Sequence, residues 1–209
     1  MNINQSDLTK QKLLRLSHIN PRTIVRMQQT IISWLPKIPQ EYVIICIGTD
    51  RSTGDALGPL TGTFLQEKGL KHFTVYGNLH EPVHATNLHT YINKLYKYHQ
   101  EPFVIAVDAC LGKRTSVGHI ITGLGALKPG AALNKSLPEV GDIYMTGVVN
   151  INGFMEHAVL QNTRLSFVID IAKTIASVLV SVDQQITHLS PSMKNHNNLV
   201  SKEEVDYNI

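Results

Sequence analysis

Cysteine is nearly absent: Cys46 and Cys110 are the only two in 209 residues. Both stand among apolar neighbours, which excludes a disulfide-framed secreted domain and fits small core residues of a reduced protein. Charge is also sparse, at 17% of residues, and a net value of +3 is too small to argue for nucleic-acid binding. It is uneven, with six basic side chains in residues 1–38 against Asp7 alone. A solvated helix face accounts for that more simply than a membrane or nucleic-acid patch. The longest apolar run, Leu165 to Val182, is broken by Asp170 and Lys173, which predicts that it does not span a bilayer. The start, Met1 to Ser6, is polar and lacks the apolar stretch of a secretory signal. No internal repeat is present. These absences predict a soluble, cytoplasmic protein without membrane or nucleic-acid partners.

What is there reads as a single α/β domain, long enough to bury a core of its own. Val43-Ile44-Ile45-Cys46-Ile47 has the continuous apolar character of a strand covered on both faces. It runs into the polar loop Gly48 to Gly54, and a helix to about Lys68 follows, stopped by Gly69. His72–Tyr76 is a second strand, Thr86–Tyr98 a helix and Phe103–Asp108 a third strand, the repeating pattern of a mainly parallel sheet. Val117–Thr122 and Asp142–Val149 complete five strands, and Gly153–Gln161 and Thr163–Val182 are helical. Upstream, residues 6–19 are expected to start a helix capped by Ser6, and Asn20-Pro21 to open a second one. The expected division is a helical segment over residues 1–40, an α/β domain over 41–183 and a polar, flexible tail over 184–209.

Two aspartates stand where ligands bind in such folds, at the carboxyl ends of neighbouring central strands. Asp55 closes the loop after the first strand, and Asp108 ends the third. Two carboxylates converging in a partly dry crevice cannot both ionise freely. One pKa rises, the pair shares a proton, and water can be activated by one member while the other protonates a leaving group. On spacing alone, both residues could equally be caps of the turns that follow. Gly48, Asp50, Arg51, Thr53 and Gly54 belong to the same loop and are candidates for holding substrate. The loop lacks the lysine and the spacing of nucleotide-binding loops. His80-Glu81-Pro82-Val83-His84 spells a zinc-protease pattern, but Pro82 argues against the helix that would bring both histidines to one face. Glu81 and His84 remain candidates for lining the crevice. Cys110 has no histidine placed to activate it and reads as structural. Asn134 and Lys135 could offer a hydrogen bond and a positive charge to a substrate carbonyl.

The run Cys46-Ile47-Gly48-Thr49-Asp50-Arg51-Ser52-Thr53-Gly54-Asp55-Ala56-Leu57-Gly58-Pro59 closely resembles the signature of the YyaC-type sporulation proteins, described as spore proteases. Glu81–Ala85, Asp108–Gly112, Lys128–Ala131, Gly141–Ile143 and Gly147–Asn150 support it, so the resemblance spans roughly residues 43–182. More distantly, the pattern is similar to the germination protease of spore-forming bacteria and to hydrogenase maturation proteases. The resemblance implies a three-layer α/β/α sandwich on a five-stranded sheet with one antiparallel strand. It also implies an atypical aspartic endopeptidase, with Asp55 and Asp108 as its catalytic pair and no cofactor. In hydrogenase maturation proteases the same two positions and a histidine bind the nickel of the substrate, and no residue here clearly matches that histidine. Gly48, Asp50, Arg51, Thr53, Gly54, Glu81, His84, Lys135 and Asn150 would position a protein or peptide substrate. The implied setting is the cytoplasm of a sporulating cell, and the oligomeric germination protease suggests a homo-oligomer. Two other readings stay open: an interaction protein on this fold that cuts nothing, and a metal-dependent maturation protease.

Overall fold

The computed structural model describes residues 12–36, 41–130 and 137–200. The strands are β1 (Leu13–Ser17), β2 (Tyr42–Cys46), β3 (Phe73–Tyr76), β4 (Phe103–Gly112), β5 (His119–Leu124) and β6 (Ile143–Ile151). The helices are α1 (Thr23–Trp34), α2 (Leu57–Lys68), α3 (Leu88–Tyr98), α4 (Glu156–Gln161) and α5 (Leu165–Val200). The six strands form one sheet in the order β1-β5-β6-β4-β2-β3. β3, β2, β4 and β6 pair in parallel, while β5 is antiparallel to both β6 and β1.

Because side chains alternate along a strand, the fully apolar β2 and β4 feed two cores at once. Ile44, Cys46, Ile105 and Val107 pack on one face against Met27 and Ile31 of α1, Leu57 of α2 and Ile171 of α5. Val43, Ile45, Val104 and Ala106 pack on the other against Leu88 and Leu95 of α3. The three-layer α/β/α arrangement follows.

The sheet has six strands where five were expected, and the extra one is β1. Leu13–Ser17, expected in a helix, is extended and paired with β5 from Leu13↔Gly123 to Ser17↔His119. The local pattern decides this. Leu14 is buried while Leu13 and Arg15 on either side are exposed, which is the period of a strand. The open margin of β5 supplies hydrogen bonds that a short isolated helix could not offset. Ser6 lies outside the described residues.

Two glycines let α2 lie hard against the sheet. A Cβ on Gly58 would fall 1.9 Å from the Ile47 carbonyl oxygen, and one on Gly62 would fall 1.7 Å from that of Gly77. A side chain at Gly58 would push the helix start away from the end of β2, and one at Gly62 would push its middle away from the end of β3.

By length and composition alone, Leu165–Thr187 is long and apolar enough to cross a membrane, with a mean hydropathy of 1.9 in its most apolar window. The apolar content serves the core instead. Val168, Ile171, Ile175, Val178, Leu179 and Val182 are buried, while Asp170, Lys173 and Ser177 share an exposed stripe. The helix does not stop at residue 183: α5 runs on to Val200. Asp183 is itself buried, and its carboxylate accepts hydrogen bonds from the Lys71 and His72 amides, the latter at 2.8 Å.

Candidate active site

The site begins where β2 lets go of β4. Their pairing runs from Tyr42↔Phe103 to Cys46↔Val107, and the Ile47 amide adds one bond to the Val107 carbonyl at 2.7 Å. Pairing with β4 goes no further; the Gly48 amide, which faces the opposite edge, donates to the Val83 carbonyl, and the loop begins there. The turn needs glycine twice over. Its φ is +150°, and a Cβ there would meet the Asp55 carbonyl oxygen at 2.0 Å. β4 does not stop at Asp108 as expected but continues to Gly112 with β6 as its partner.

The gap so opened is a cleft of about 540 Å³, into which both Asp55 and Asp108 face. The capping alternative does not account for Asp55. The residue that caps α2 is Ala56, without any side-chain cap, so the Asp55 carboxylate is not consumed by the helix start. Burial pushes the Asp55 pKa up; nearby Ser52 and His157 pull it partly back. The Ser52 hydroxyl is buried and close, but it makes no well-formed hydrogen bond. Asp108 is perturbed further, from 3.8 to about 8, chiefly by burial. The Ala109 amide, donating to its Oδ1 at 2.8 Å, opposes that rise, and the charge of Asp55 adds to it. The two carboxylates are thus electrostatically coupled across one cleft, one of them held neutral near pH 7.

Gly48, Asp50, Arg51 and His84 line the same cleft, with Asp50 and Arg51 exposed at its mouth. Thr53, Gly54, Glu81 and Asn150 do not. Gly54 is pressed against α4 through its amide bond to the Leu160 carbonyl. Glu81 is exposed in a turn closed by Asn78 Oδ1. Asn150 spends its amide on Thr163 Oγ1 and the Val159 carbonyl. Asn134 and Lys135 lie outside the described residues. Residues 80–87 are not helical, as Pro82 predicted: α3 starts only at Leu88, and Asn87 ties the turn to Pro82 and His84. Cys110 lines the cleft, yet burial raises its thiol pKa and Asp108 raises it further, the reverse of nucleophile activation.

Sequence reasoning missed Leu111, Lys128, Asn152 and Glu156 in the cleft wall, and His157 as a charge acting on Asp55. Leu111 and Lys128 stood in blocks supporting the resemblance. Nothing local marked Asn152, Glu156 and His157, since they follow β6 and arrive through the fold-back of α4. The nickel set implied by the resemblance needs a histidine beside both aspartates. His84 Nδ1 is engaged by Thr86 Oγ1 at 2.9 Å, and His157 is exposed. Among the described residues no three His, Cys, Asp or Glu side chains are grouped to hold an ion. The described residues do not fit a three-ligand site.

Residues 15–178 match the model of a family described as "Protein of unknown function (DUF1256)". The chain belongs to that family. Over 170 residues it is 50% identical to "Uncharacterized protein YyaC" of Bacillus subtilis (strain 168), covering 81% of this chain and 83% of that one. The YyaC-type resemblance of the Cys46–Pro59 signature is borne out by this relative. Among solved structures, the family member described here is similar to the NiFe hydrogenase maturation protease HycI from Thermococcus kodakarensis KOD1. The TM-score is 0.45 at 17% identity, covering 69% of this chain and 93% of that one. For HybD from Thermococcus kodakarensis the TM-score is 0.40 at 14% identity, with 70% and 98% covered.

Proposed function

We propose that this protein is an endopeptidase that hydrolyses peptide bonds of a protein substrate with the Asp55–Asp108 pair. The observation that carries the reading is the unequal environment of two carboxylates facing one cleft. Asp108, pushed up to about 8, is the member that holds a proton at neutral pH, and Asp55, raised less, is the charged one. Asp55 takes a proton from water as its oxygen attacks the peptide carbonyl carbon. Asp108 gives its proton to the leaving nitrogen as the carbon–nitrogen bond breaks. The pair ends with the proton on the other carboxyl, and exchange with solvent resets it. Arg51 and the loop amides hold the substrate at the mouth. The setting proposed from the YyaC-type resemblance is the cytoplasm of a sporulating cell.

Incubation with small acid-soluble spore proteins and with an unfolded protein pool tests this. Asp55→Asn and Asp108→Asn should each lower cleavage by about 10²–10⁴-fold, the span of a lost general acid or base. Cleavage that survives in both variants would remove the aspartate pair from the mechanism. A non-cleaving interaction protein is the reading left if no substrate is cut.

A further inference from the structure

The cleft has a property that two catalytic carboxylates do not require: one wall is the edge of a strand. Asp108, Ala109, Cys110 and Leu111 all line it, four residues in succession. A cleft lying on a sheet face would be lined by every second residue, because side chains alternate. Consecutive lining means that the cleft runs along the backbone itself.

The hydrogen-bond pattern of β4 says which groups face it. Phe103 and Val107 bond toward β2, through Glu41 and Ile47, whereas Val104 and Gly112 bond toward β6, through Asp142 and Asn152. Odd-numbered residues therefore direct their amide and carbonyl groups to the β2 side, and even-numbered ones to β6. The irregularity after Cys110 inserts its extra residue in β6, since Cys110 pairs with Val148 but Leu111 with Asn150, so the alternation in β4 is unbroken. Beyond Val107, β2 has left. Ala109 and Leu111 then present backbone groups to the cleft, and among the described residues only the Ala109 amide is occupied, by Asp108 Oδ1.

Resting on the endopeptidase reading, we infer that the substrate enters as an extended segment that adds a strand to the free edge of β4 at Ala109–Leu111. The edge from Asp108 to Leu111 spans ~13 Å, about four residues of an extended chain. Such a segment lies beside Asp108, so one of its peptide bonds is delivered to the carboxylate pair. Its side chains alternate between two apolar flanks, Leu111 and Leu160 on one side and Leu127 and Leu137 on the other. Adjacent apolar residues are therefore the sequence it favours. At the rim, between the cleft residues Asn152 and Glu156, Phe154 is 99% exposed and Met155 77%. Met155 also holds a φ of +62°, so the chain turns sharply between this apolar pair and α4. The occupant is thus an unfolded or terminal apolar stretch, since a segment paired in its own sheet has no edge to give.

Fluorescein-labelled decapeptides of random sequence, each with two adjacent apolar residues, provide the probe. Asp55→Asn protein is used because it leaves β4 untouched and does not cut. The tightest binder is then remade with a single N-methyl group at each position in turn. Expected is loss of binding of at least tenfold at alternate residues and little change between them, with slowed hydrogen exchange of the Leu111 amide in the complex. Losses without that alternation, or no decapeptide retained at all, overturn the inference. If the alternation is found but wild-type protein cuts none of the peptides, edge pairing stands and the endopeptidase reading falls. If wild-type protein cuts them without alternation, the reverse holds.

Discussion

Asp108 makes a stability prediction as well as a catalytic one. Its folded pKa of about 8 lies above the ordinary carboxylate value, so the folded protein holds a proton that the unfolded chain has released. That contribution is complete below about pH 4 and is lost as pH rises towards 8. Asp55, raised in the same direction, adds to the slope. Asp108→Asn removes the larger part of it. Thermal unfolding of the variant should therefore match wild type near pH 4 and exceed it at pH 8, with the gap widening steadily between the two. An unchanged difference between the two pH values would contradict the burial of this carboxylate. Asp183 is the opposite kind of acid, consumed by two backbone amides at the entry to β3. Asp183→Ala should cost about 1–3 kcal/mol in urea unfolding, the price of leaving buried amides unpaired. The two roles could not be told apart from residue type. Asp55 and Asp108 were legible because glycine-bearing loop and buried strand bracket them, whereas Asp183 stood at a change of composition that looked like the end of the packed chain.

At the scale of elements, β2, β4 and their helices were legible because runs such as Val43–Ile47 admit one environment only, buried on both faces. β1 was not, since its five residues become a strand only through pairing with β5. Thr53 and Gly54 share the failing from the other side. A loop position says that a residue is near a site, not which way it points, and α4 folds back to claim Gly54. The junction of α2 with β2 gives the sharpest element-level test. Gly58→Ala puts a methyl group into the Ile47 carbonyl, where backbone rather than a flexible side chain must yield. A loss of about 1–3 kcal/mol is expected in denaturant unfolding, the scale of overpacking. Cleavage should fall further than stability does, because Asp55 immediately precedes the displaced helix.

Taken whole, the protein spends its most apolar helix on the core. Flotation with phosphatidylcholine vesicles should leave the folded chain in the aqueous fraction, and recovery with the vesicles would mean that α5 leaves the sheet. The sheet itself is closed on its β5 side by a piece of chain from far upstream: His18 Nδ1 meets the Gly118 carbonyl across a sequence separation of 100 residues. During synthesis, Leu13–Ser17 thus emerges from the ribosome long before the strand it will lie beside exists. β1 must wait, unpaired, until His119–Leu124 has cleared the exit tunnel, and its docking is set to be among the later events of folding.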